Sequence, residues 1–372
     1  MNLFDMQPIF RVASTLLFGF TVHLTVQAQK AVSPEIMQKT YETVQTPYKY
    51  GLVLTPENDN CKLDSPTVFR MEGKWYMTYV RYDGKTATDG TGYETWLAES
   101  DNLLEWRVLG PILSFKSDGW GAAQRGGYLA LTDYRWNGNH RPKKYDGYYW
   151  LSYIGGATQG YEAGQLNIGL ARTKQSANQV HEWESFDGPI LTPKDPDAQP
   201  WEDYTLYKSS VFRVPTHLFG SPFVMFYNAK GDAAGRESIG IAVSDDMMHW
   251  KRYPESPVLD HPQGRITGDA QIVKMGKLYV MFYFGAFWEG KQAQAFNRFA
   301  CSYDLKHWTD WTGDDLIAPS EPYDNLFAHK SFVLHYKGVV YHFYCAVNDR
   351  DQRGIAVATS RDMGSSSLQF DR

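Results

Sequence analysis

DSPTVFRMEGKWYMTYV, residues 64–80, reads as a strand, a turn carrying Gly73, and an aromatic-rich second strand. The unit returns, with an insertion, as GGYLALTDY…KKYDGYYWLSYI (126–154). It recurs as KSSVFRVPTHLFGSPFVMFY (208–227), GDAQIVKMGKLYVMFYF (268–284) and HKSFVLHYKGVVYHFY (329–344). Gly147, Gly220, Gly276 and Gly338 take the turns. Each unit either alternates apolar and polar residues or runs fully apolar, as strands buried between layers do.

A third strand follows each hairpin: TWLAES, LNIGLART, SIGIAVS, FNRFACS and GIAVATS. Four of these lead through a polar turn to Trp106, Trp183, Trp250 or Trp308, and then into a fourth strand, GPILSF, GPILTP, SPVLD or DDLIAP. Four strands repeated five times describe an all-β chain, a five-bladed β-propeller. The fifth unit lacks its fourth strand, while YGLVLT (50–55) near the start resembles GPILTP. The N-terminal strand is therefore expected to close the last blade, because an open ring leaves unpaired strand edges.

Residues 12–26, VASTLLFGFTVHLTV, form an apolar run of signal-peptide length, with Val26 and Ala28 at the −3 and −1 positions of a cleavage site. The expectation is a signal peptide over 1–28, a single domain over 29–372, and a periplasmic or secreted location. No later segment is apolar enough for a membrane span. A net charge of −5 without a basic run argues against nucleic acid as a partner. Aromatics make up 15% of the sequence, a bias that suits both rich strands and rings stacked on sugars. Three cysteines, Cys61, Cys301 and Cys345, allow one bridge at most, with Cys61–Cys345 the expected pair.

In a propeller, first-strand starts and the loops between second and third strands share one end, where side chains from several blades converge on the axis. The first-strand starts supply Asp64, Arg125, Trp201, Glu202, Asp203, Tyr207, Lys208, Arg265, Asp269, His329 and Lys330. The loops add Glu94, Glu162, Arg236, Glu237, Trp288, Glu289, Asp349, Arg350 and Asp351. Arg125, Lys208, Arg265 and Lys330 either neutralise carboxylates or bind an anion: a uronate, a sulfate or a phosphate. His329 is open to three roles, namely metal ligand, substrate partner or acid. A lone His has no metal-ligand spacing, so no cofactor is expected, although a structural calcium or another ion in the channel stays open.

DSPTVFRMEGKWYMTY, GDAQIVKMGKLYVMFY and the S-x-D-x-x-x-W turns together resemble the five-bladed glycosidases of families 43 and 62, and more distantly families 117 and 130. The resemblance spans nearly all of residues 29–372. It implies a glycoside hydrolase with two carboxyl groups across a sugar, the substrate being expected from plants or algae. A water-sized gap between opposite blades gives the expectation of inversion, and long loops that of exo action. By the family pattern Asp64 resembles the general base, and Asp203 or Glu202 the third-blade carboxylate. Where family 43 has Glu-Gly-Pro this sequence reads Thr267-Gly268-Asp269, so Asp269 is the expected acid and Glu202 the second candidate. The insertion Asp133–Asp146, with Arg135, Trp136, His140 and Arg141, is expected to wall off one end of the cleft. Two alternatives stand beside this reading: a phosphorylase of the family 130 type and a non-catalytic carbohydrate-binding propeller. Asp64, Asp203 and Asp269 together favour an enzyme.

Overall fold

The structure, a computed structural model, describes residues 31–232 and 235–371. The expected signal peptide lies outside the described residues. Helix α1 (Pro34–Val44), capped by the Ser33 hydroxyl, precedes strand β1 (Tyr48–Leu54). Four strands follow, β2 (Lys62–Met71), β3 (Lys74–Tyr82), β4 (Tyr93–Ser100) and β5 (Arg107–Leu113). The next four are β6 (Gln124–Leu129), β7 (Tyr149–Gly156), β8 (Asn167–Thr173) and the short β9 (Glu184–Ser185). The third set is β10 (Thr205–Arg213), β11 (Phe223–Lys230), β12 (Glu237–Ser244) and β13 (Trp250–Arg252). The fourth is β14 (Gly264–Met275), β15 (Leu278–Trp288), β16 (Ala295–Ser302) and β17 (Thr309–Asp310). Strands β18 (Phe327–Tyr336), β19 (Val339–Val347) and β20 (Arg353–Thr359) come last.

The protein is nearly all-β, and within each set successive strands pair antiparallel. One parallel pair joins β4 to β6 and one joins β12 to β14, so two eight-stranded sheets arise from four sets. The remaining sheet has the order β1-β20-β19-β18. Strand β1 lies antiparallel along β20, from Tyr48 opposite Thr359 to Leu54 opposite Ile355, so the N-terminal strand completes the last set as expected. The inner strands β2, β6, β10, β14 and β18 contact one another in that cyclic order.

Local chemistry repeats with the sequence. In the hairpin turns Glu72–Gly73, Asp146–Gly147 and Lys337–Gly338 both residues have positive φ, the turn whose twist matches the flanking strands. In the polar turns, Leu103, Met247 and Leu305 sit at φ near +70°, and their carbonyls accept from the indoles of Trp106, Trp250 and Trp308. The side chains of Asn102, Asp246 and Asp304 cap the N–H groups two and three residues on. Trp183 departs from the pattern, with its backbone N–H donated to Ile112.

The insertion after β6 corrects one expectation. It follows the far end of an inner strand and so lies at the mouth opposite the first-strand starts. There it bonds the ends of four other inner strands: Arg70 donates to His140, Leu131 to Val211, Trp136 to Lys274, and the His140 ring meets the His335 carbonyl. Trp136 stacks on His335 at 5.3 Å. The insertion thus closes the far end of the channel and does not flank the cleft. The expected Cys61–Cys345 bridge is also absent: all three cysteines are free. Cys61 Sγ accepts from Arg81, whereas Cys345 Sγ donates to the Leu63 carbonyl.

His342 is fully buried, and neither ring nitrogen has a partner among the described residues. Burial pushes its imidazole down from 6.5 to about 3. A depressed folded pKa means that the unfolded protein takes up the proton first, so stability is lost as pH falls from 6.5 towards 3. An unpartnered buried polar group costs about 1–3 kcal/mol. His342→Leu should therefore raise the melting temperature and flatten its acid dependence over that window. Unchanged acid dependence would contradict this account.

Candidate functional site

Four inner strands carry a register break at the same place: Asp64/Thr67 in β2, Leu206/Ser209 in β10, Gly268/Gln271 in β14 and His329/Phe332 in β18. A bulge re-aims side chains. Ser65, Asp269 and Lys330, each at one of these breaks, have φ of +46°, +58° and +54°. Such conformations are costly away from glycine and cluster where a site needs them. The result is a polar layer across the channel.

Above that layer lies a cavity of about 200 Å³ lined by Glu162, Tyr207, Lys208, Glu237, Asp269, Lys330 and Arg353, with Phe284 and Phe287 on its apolar side. Lys330 Nζ bridges Asp64 at 2.8 Å and Glu162 at 3.1 Å. Asp64 Oδ2 also accepts from Tyr161 at 2.9 Å, and Oδ1 from the Ser65 N–H at 2.7 Å. Arg353 donates to the Tyr161 hydroxyl. Glu162 takes a further hydrogen bond from Tyr93 at 3.0 Å. Also on the cavity wall, Asn228 donates to Glu237 at 3.1 Å and accepts from the Asp269 N–H. Gly268 leaves room for this amide: a Cβ there would stand 2.8 Å from Asn228 Nδ2.

The electrostatics divide these carboxyls. Burial would raise Asp64, but Lys330, His329 and Arg353 together hold it well below the usual carboxylate range. Burial raises Asp269 despite Lys208 and Lys330. Burial, with Glu162 and Asp269 nearby, pushes Glu237 up to about 8, so it carries a proton at neutral pH. Burial lowers Lys208, whereas Lys330 is raised because Asp64 and Glu162 outweigh its desolvation. His329 lines the cavity as a neutral ring, pushed by burial to about 3.

Several expected residues lie elsewhere. Glu202 is wholly buried in another network, where Arg252 meets it at 2.8 Å and Tyr227 donates to it. Asp203 accepts from the Asp232 N–H on a loop. Trp201 stacks on Tyr227 over Gly240, and Trp288 is wedged between His261 and Phe296, with its indole bonded to Ile266. Arg125 faces a separate cavity of about 140 Å³, paired with Glu182 at 3.3 Å. A site built from Arg125, Lys208 and Lys330 therefore does not form. Arg265 is exposed, 6.0 Å from the Phe287 ring. Asp64, expected as the base, has both oxygens engaged and is only 2% exposed.

Sequence reasoning placed Glu162 and Glu237 only among the loop charges and missed Tyr161, Asn228 and Arg353. A usable signal was present: Glu237 stands directly before the buried strand SIGIAVS, just as Asp64 stands before its own. The ligand atoms of Asp64, His329 and Cys345 lie within 4.8 Å of one another. Lys330 on Asp64 and Arg353 nearby make that cluster a poor home for a cation.

Removing one partner of a buried ion pair costs about 3–5 kcal/mol. Glu202→Gln should accordingly lower the melting temperature while leaving turnover intact below it. A loss of turnover in a still-folded variant would place Glu202 back in the chemistry.

No family model and no curated protein matches this sequence. Solved structures do. One is described as a complex of BT0996 with RGII and another as "Glycoside hydrolase"; each is 55% identical, covers 92% of this protein and 99% of its own length, and has a TM-score of 0.90. A structure from work on the GH130 family of mannoside phosphorylases and hydrolases is 14% identical over 88% of this protein and 96% of its own length, at a TM-score of 0.61, a likeness of fold alone.

Proposed function

The protein belongs to the propeller-type glycoside hydrolases, and from that premise we propose an exported, five-bladed, inverting exo-glycosidase that removes a terminal sugar from a plant oligosaccharide of the RGII kind. Its glycosidase activity rests on the two relatives at 55% identity. Five antiparallel sets and the cyclic contacts of their inner strands support the blade count. The apolar run before residue 28 supports export.

One observation carries the mechanism. Glu237, protonated at neutral pH, and the Lys330-paired Glu162 line the same cavity of about 200 Å³. In this reading Glu237 donates its proton to the leaving oxygen, and Glu162 takes a proton from the attacking water. Water fits between two carboxyls about 6.5–9.5 Å apart, which gives inversion. Asp64 is an anchor: it fixes Lys330 and Tyr161. Asp269, 3.8 Å from Lys208 and only 3% exposed, takes no part in proton transfer in this reading. The blind channel favours the end of an oligosaccharide over its middle.

Phe287, 44% exposed and at φ +55°, is strained for a bulky residue and stands at the rim. It is placed to stack on the leaving-group sugar. Aromatic contacts are worth about 0.5–1.5 kcal/mol. Phe287→Ala should raise KM for an oligosaccharide about 2- to 10-fold and disturb an aryl glycoside less, in keeping with that contact energy. Equal effects on both substrates would remove Phe287 from this role.

The reading is tested by incubating the protein with RGII oligosaccharides, with and without inorganic phosphate. It predicts one monosaccharide released per oligosaccharide end, at a rate indifferent to phosphate. Release of a sugar phosphate would instead establish phosphorolysis.

A further inference from the structure

The floor of the cavity contains a donor and an acceptor that no described residue satisfies. Lys208 Nζ and Asp269 Oδ2 stand 3.8 Å apart, beyond hydrogen-bonding distance. Neither atom has a partner among the described residues. Both side chains are more than nine-tenths buried, at 5% and 4% exposure, and both line the cavity. The Tyr128 ring lies 5.2 Å from Lys208 Nζ. Buried charged groups are ordinarily hydrogen-bonded, and each that is not costs free energy. The backbone strain at Asp269 adds to that cost.

A hydroxyl placed between them resolves both defects, because it accepts from an ammonium and donates to a carboxylate at once. A carboxylate or phosphate resolves only one. It would meet the buried Asp269 carboxyl directly, with no proton to donate to it. We propose that Lys208 and Asp269 form a hydroxyl-reading pair that selects a neutral, non-uronic sugar for the innermost subsite. The proposal deepens the glycosidase reading and rests on it for the identity of the subsite. It assigns Lys208 and Asp269 to specificity, leaving proton transfer to Glu162 and Glu237.

Binding and hydrolysis separate the two claims. Calorimetric titration of the wild-type protein would use L-arabinose, L-rhamnose, D-galactose and D-glucose, with D-galacturonate and D-glucuronate as charged counterparts. At least one neutral sugar should bind, and neither uronate should bind more tightly than its neutral counterpart. Monodeoxy forms of the bound sugar, tested on the unmodified protein, should include one that loses about 10- to 100-fold in affinity, the range for hydrogen bonds to charged groups. Lys208→Met/Asp269→Asn should lose affinity for the parent sugar and stop distinguishing that deoxy form, while the other deoxy penalties persist. Tighter uronate binding, no binding of any neutral sugar, or a variant that discriminates like the wild type would overturn the pair. Failure to release sugar from RGII oligosaccharides despite this binding pattern would overturn the hydrolase reading and leave the pair standing.

Discussion

Glu237→Gln should cut turnover on a natural oligosaccharide by about 10²–10⁴-fold, the usual contribution of a general acid. The leaving sugar alkoxide needs the proton that Glu237 holds because burial, Glu162 and Asp269 raise its carboxyl to about 8. The sign with pH follows. Activity is present while Glu237 is protonated and is lost as pH rises through about 8. In the glutamine variant that alkaline limb should vanish along with most of the rate. An aryl glycoside of the same sugar, whose leaving group is a stable anion, should lose far less. If both substrates lose equally, Glu237 holds structure and does not transfer a proton.

Glu162→Gln should cost about 10²–10⁴-fold as well, but on both substrates, because water must be activated whatever leaves. Folding should survive: Lys330 keeps its 2.8 Å pair with Asp64, and Glu162 sits at the cavity surface with 24% of its side chain exposed. Proton NMR of the wild-type reaction gives the stereochemical companion result, a first-formed sugar of inverted configuration. Retention would make Glu162 a nucleophile and require the carboxyls to be about 5–5.5 Å apart. The contrast between these variants is the kinetic signature of an acid and a base that do different work.

The two halves of this account were unequally legible in the sequence. The fold was written in repetition: each hairpin carries its turn glycine, and three polar turns repeat one hydrogen-bond pattern down to the indole of Trp106, Trp250 or Trp308. The pairing of β1 with the last set followed from a missing strand in the last unit and a spare one at the start. The site was legible only as far as the direction of side chains could be inferred. Asp64, Lys208, Asp269 and Lys330 were visible because bulges at equivalent inner-strand positions aim them at one layer. Glu202 and Arg125 share that kind of position, yet find partners, Arg252 and Glu182, that lie at a distance in sequence. Glu162 and Glu237 looked like ordinary loop charges. What distinguishes them is a set of neighbours from other strands: Lys330 and Tyr93 for one, Asn228 for the other.

The most direct measurement is a crystal structure of the Glu237→Gln protein soaked with an RGII oligosaccharide. The account predicts a terminal sugar ring in the cavity above Lys208 and Asp269, its glycosidic oxygen within hydrogen-bonding reach of the residue 237 side chain, and a water on the opposite face held by Glu162. A sugar bound elsewhere, such as in the cavity beside Arg125, or one whose glycosidic oxygen faces neither glutamate position, would contradict it.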